Sequence, residues 1–81
     1  MGSARVSTIE DLRQEIAYVD NDLRGIAGCI GDLETSYGGK ANQTLLEEWR
    51  RREVIVKSIR SRLERLKEYH ELEELHERSL P

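Results

Sequence analysis

Few side chains in this 81-residue sequence are of a type that does covalent or metal chemistry. Cys29 is the single cysteine, and His70 and His76 are the two imidazoles. A thiolate needs a neighbouring base or cation to act as a nucleophile. No histidine stands near Cys29 in sequence, and one cysteine closes no internal disulfide, so it reads as a small core or surface residue. His70 and His76 are six residues apart, on poorly aligned faces of a helix. Glu73 and His76, three apart, share a face, but two ligands are too few for a zinc site. The carboxylates are numerous without forming a recognisable acid–base pair. Arg50, Arg51 and Arg52 resemble a phosphate-binding run, yet three successive residues point round a helix and acidic residues flank them. The residues give no catalytic, metal or cofactor site. A nucleic-acid-binding hairpin is the weakest of three functional readings, and binding to another protein is the strongest.

The elements that would carry such residues are written plainly in the apolar spacing. Ile9, Leu12, Ile16, Val19, Leu23, Ile26, Ile30, Leu33 and Tyr37 recur at alternating steps of three and four. This is the seam of a coiled-coil-type helix. Ser7 with Glu10, or Thr8 with Asp11, has the spacing of a capping box, so a first helix is predicted over about 8–36. Gly38 and Gly39 then permit a reversal, one of them at positive φ, within a turn at 37–41. A second helix is predicted over about 42–78, with Ala41, Leu45, Trp49, Val56, Ile59, Leu63 and Leu66 as its seam and Arg52 in the slot between Trp49 and Val56. Val54 and Ile55 widen the apolar surface and suggest a second contact face. Gly25, Gly28 and Gly31 read equally well as a place of close backbone approach or as local softness. A phosphate loop is excluded there because the seam runs straight through them.

The expected fold is therefore all-α: one domain over 1–81, an antiparallel two-helix hairpin assembling into a four-helix bundle. Two helices bury only one shared seam, so a second copy or a helical partner is expected. Ile16, Leu23, Ile30, Trp49, Val56, Ile59 and Leu63 are the candidate partner interface. Charge agrees with antiparallel pairing. Residues 1–36 carry three basic and seven acidic side chains, residues 40–67 nine and four, and residues 68–81 one and five. An acidic first helix would lie against a basic middle of the second. Because the second helix is the longer, its end is expected to overhang the first. Charged residues make up 36% of the chain and apolar runs never exceed three residues, so no membrane span is expected. The first residues lack an apolar signal core.

The run Tyr37-Gly38-Gly39-Lys40-Ala41-Asn42-Gln43-Thr44-Leu45 resembles the Trp-x-Gly turn of the small helical-hairpin proteins exported by type VII secretion systems. In that likeness Tyr37 replaces the tryptophan, Gly39 is the family glycine, Ala41 the small residue and Leu45 the apolar anchor. Tyr69-His70-Glu71-Leu72-Glu73 is similar to the family's Tyr-x-x-x-Asp/Glu export signal. The tyrosine in place of tryptophan and the short chain are departures. They bring the chain nearer to a divergent branch that partners toxins bearing an LxG-type helical domain. The resemblance implies a homodimer or heterodimer with another helical hairpin or a helical toxin domain. It also implies export by a route without a signal peptide, from a cytoplasmic pool. The alternative is a general coiled-coil adaptor or assembly protein with no secretion role.

Overall fold

The computed structural model describes residues 4–36 and 38–80, and within them the chain is two α-helices packed as a hairpin. Helix α1 spans Ala4–Glu34 and helix α2 spans Gly39–Ser79. The molecule measures 66 × 17 × 14 Å, a rod two helices wide. At about 1.5 Å per residue, the 41 residues of α2 account for nearly all of that length.

Helix α1 begins four residues before its predicted start. The expected capping box therefore lies inside the helix. The Thr8 hydroxyl donates back to the Ala4 carbonyl at 2.9 Å, and Glu10 accepts from Arg13. At the other end, hydroxyls serve the last carbonyls. Ser36 Oγ donates to Asp32 O at 2.6 Å, and Thr35 Oγ1 lies 3.1 Å from the carbonyls of both Gly31 and Asp32. The Thr35 and Ser36 amides also donate to the Gly31 and Leu33 carbonyls, respectively, so backbone and two short hydroxyl side chains together finish the helix where a glycine was expected to. Gly39, at φ +64, holds the positive-φ position, but it opens α2 rather than closing α1. Gly38 precedes it at φ −129 as the N-cap residue.

From Ile9 to Leu33 the first-helix seam follows the predicted series; Tyr37, its last member, lies outside the described residues. Ile9, Leu12, Ile16, Ile26 and Ile30 are buried, and Val19, Leu23 and Leu33 are partly so. The second seam keeps Trp49, Val56 and Leu63 of the predicted series, but Ala41, Leu45, Ile59 and Leu66 turn outward. Leu46, not Leu45, is buried with Ile26 and Ile30, and Leu33, Trp49 and Val56 close over them. Continuing at steps of three and four from Leu46, the inward positions are Trp49, Glu53, Val56, Arg60, Leu63, Lys67 and His70, all partly buried. The seam of α2 thus alternates apolar and charged residues. This places Glu53, not Arg52, in the slot between Trp49 and Val56. It leaves Ile59 43% exposed and Leu45 47% exposed against 8% for Leu46.

Antiparallel pairing is fixed from end to end by four ion pairs between the helices. Arg5 meets Glu77 at 3.1 Å, Arg13 meets Glu71 at 3.8 Å, Asp20 meets Arg60, and Glu34 meets Arg50 at 3.3 Å. The acidic half of α1 lies on the basic middle of α2, as the charge blocks predict. The two arginines near the start of α1 meet the acidic end of α2. Each exposed pair is worth at most about 1 kcal/mol, but a parallel or shifted arrangement loses all four together.

Candidate functional site

The outer surface of α2 is the feature that most needs explanation. Val54, Ile55, Ile59, Leu66, Tyr69, Leu72 and Leu75 are large hydrophobic residues left exposed on it, with Leu45 near its start and Leu80 just beyond its end. On α1 only Tyr18 is comparably exposed. Leu45, Arg52, Ile59, Leu66, Glu73 and Leu80 follow a seven-residue repeat. Ile55, Arg62 and Tyr69 follow another beside it. A seven-residue repeat keeps to one side of a helix, so these residues form a second stripe along α2 beside the hairpin seam. This stripe, mostly apolar and interrupted by Arg52, Arg62 and Glu73, is the candidate contact surface of the hairpin.

The residues expected to form the partner interface divide between the two faces. Ile16 and Ile30 are buried inside the hairpin, and Leu23, Trp49, Val56 and Leu63 are partly buried in the same seam. They hold the hairpin together and are not free to meet a partner while it is intact. Ile59 alone among them faces outward. Trp49, Val56 and Leu63 suit two faces of α2: one adds Leu45, Ile59 and Leu66, the other adds Leu46, Glu53, Arg60 and Lys67, and the helix buries the second. The signal that separates them is the company each keeps. The second passes through Glu53, Arg60 and Lys67, whose charges pair at its edges.

Asp20 and Arg60 form the best-defined polar contact between the helices. Arg60 Nε donates to Oδ1 of Asp20 and Nη2 donates to Oδ2 at 3.4 Å, a forked pair. Hydrogen bonding from Arg60, reinforced by its charge and by that of Arg24, holds the Asp20 carboxyl below its ordinary pKa. The same bond raises Arg60. Beside them Leu23, Arg24, Ala27, Glu53 and Lys57 complete the lining of an open groove. Its charges are engaged with one another and it contains no nucleophile–base pair. The Arg52 guanidinium lies 4.9 Å from the Trp49 ring centroid, a cation–π contact that covers the outer side of the indole.

The turn and the end of α2 depart from expectation. Tyr37, the proposed counterpart of the family tryptophan, lies outside the described residues. Leu45, the expected apolar anchor, is exposed and Leu46 is buried in its place; Ala41, the expected small residue, is exposed. Tyr69–Glu73 does not overhang. The earlier start of α1 brings Arg5 alongside it, where Arg5 Nη1 donates to Nδ1 of His70 at 2.9 Å and Arg13 reaches Glu71. Tyr69 remains 55% exposed with its ring edge-on to His70, and Glu73 is partly buried. Among the described residues no group of three metal-ligating side chains converges, and no helix is long and apolar enough to cross a membrane. Comparison with known protein families, curated proteins and solved structures finds no match.

Proposed function

We propose that this chain is a protein-binding helical hairpin whose working surface is the outward stripe of α2, used to pair with a second hairpin or a helical domain. The exposed series Ile55, Ile59, Leu66 and Tyr69 carries this reading. It is apolar and regularly spaced, and the hairpin leaves it uncovered. Helix-to-helix recognition uses such anchors. The stripe offers no enclosed pocket for a small molecule.

The likeness of the turn and of Tyr69–Glu73 to exported hairpins extends this reading to type VII secretion, with the hairpin carried out alone or with a helical toxin domain. The test follows the chain in the medium of source cells that have or lack the secretion membrane ATPase, with Tyr69→Ala and Glu73→Ala as paired variants. ATPase-dependent appearance in the medium, lost in both variants, is the expected result. A chain that stays in the cell in every case, yet still binds its helical partner, overturns export and leaves the second reading. That reading, an assembly adaptor without a secretion role, is favoured by the docking of His70 and Glu71 against α1, which ties down the candidate signal.

A further inference from the structure

Among the described residues, Asp11, Glu15, Asp22 and Asp32 of α1 form no ion pair. The α1 charges so left are acidic apart from Arg24, whereas on α2 they are of both signs: Lys40, Arg51, Arg52, Arg62 and Arg65, and Glu47, Glu48, Glu68 and Glu73. Of the four cross-helix pairs, Arg13–Glu71, Asp20–Arg60 and Glu34–Arg50 lie on one side of the seam, and Arg5–Glu77 continues the seam itself at its open end. A helix turns by about 100° per residue, so Asp11, Glu15, Tyr18 and Asp22 project on the other side of α1. The Ile55–Ile59–Leu66 stripe and Arg62 project on that same other side of α2. This face of the hairpin is acidic along α1 and, along the middle of α2, apolar with Arg52 and Arg62, with Glu48 and Glu73 toward the two ends; no cross-helix ion pair closes it among the described residues.

We infer that a second copy of this chain covers this face, through a two-fold axis parallel to the helices that lays α2 of each copy on α1 of the other. This deepens the proposed binding role and rests on it. Such an axis keeps every residue at its own level along the rod. Asp20 is level with Arg60 and Arg13 with Glu71. Arg62 therefore comes level with Tyr18 and Asp22 of the second copy, and Leu66 with Glu15 and Tyr18. Ile55 comes level with Gly25, where an added Cβ would meet nothing within 4 Å. The isoleucine ridge has room over that glycine, and the unpaired arginines and carboxylates come together twice in one closed, isologous contact. The face extends 66 × 17 Å, enough to accommodate the ~800 Å² per partner of a typical stable interface. All neighbouring helices in the resulting four-helix bundle are antiparallel.

Charge reversal tests this arrangement directly. The whole chain is expected to be a dimer by size-exclusion chromatography with light scattering. Arg62→Glu alone and Asp22→Arg alone each set like charges against each other across both contacts, and each should raise the dimer dissociation constant at least about tenfold. Mixing the two single variants should restore a dimer containing one copy of each, because every reversed residue then faces its complement. This readout holds even if the separate monomers lose helix. A monomeric parent, a dimer indifferent to both reversals, or two weakened variants that do not recombine would each overturn the inference. A monomeric parent that still binds a helical partner one-to-one overturns the second copy and keeps the binding role. A dimer that behaves as expected in a chain never exported keeps the second copy and removes secretion.

Discussion

Single residues settle the turn and the polar lock across the seam. At φ +64, Gly39 occupies backbone that a β-branched residue strongly avoids. Gly39→Val should cost roughly 1–3 kcal/mol in thermal unfolding followed by circular dichroism. Gly38→Ala should cost less, since its added Cβ would fall on the Asn42 amide, which can rotate away. Asp20 gives a pH signature of known sign. Its carboxyl is held below its ordinary pKa when folded, so the contribution of its pairing is present above the ordinary carboxylate range. That contribution is lost as pH falls through the lowered value. Melts taken from neutral pH into acid should therefore show a smaller loss of stability for Asp20→Asn than for the parent.

At the scale of the helices, stability and recognition fall to different faces of α2. Ile30→Ala removes a buried side chain from the cluster with Ile26 and Leu46 and should cost about 2–4 kcal/mol in urea unfolding. Ile59→Ala, at concentrations dilute enough to exclude association, should change stability by less than about 1 kcal/mol. The sequence made α1 legible because its apolar residues form a single series, leaving one face to bury. In α2 the residues Trp49, Val56 and Leu63 fit two faces, and apolar spacing favours the one with Leu45, Ile59 and Leu66, which is not the one buried. What decides is that Glu53, Arg60 and Lys67 tolerate half-burial, their stems lying along the seam while their charges reach partners at its rim. The start of α1 was misplaced for a related reason: Ser7 and Thr8 suit a helix cap by composition, but Arg5 gains contacts with His70 and Glu77 only if the helix begins earlier.

For the whole molecule, the hairpin is a two-sided rod. One side is closed by ion pairs between its own helices, and the other holds an apolar stripe and unmatched charges. With only six buried hydrophobic residues among those described, the hairpin is poorly supplied for independent stability, so covering the second side should also strengthen the fold. The melting temperature should accordingly rise with protein concentration for the parent and much less for Arg62→Glu. Unfolding by scanning calorimetry across a concentration series reads this.

The division of α2 into an inward and an outward face underlies the whole account, and a methyl-resolved nuclear Overhauser spectrum of the isotopically labelled chain tests it most directly. Cross-peaks should join the Ile26 and Ile30 methyl groups to Leu46, with the Trp49 indole and Val56 close by, and should not join them to Leu45. Contacts from those isoleucines to Leu45 and Ile59 in place of Leu46 and Val56, or none between the two helices, would contradict it.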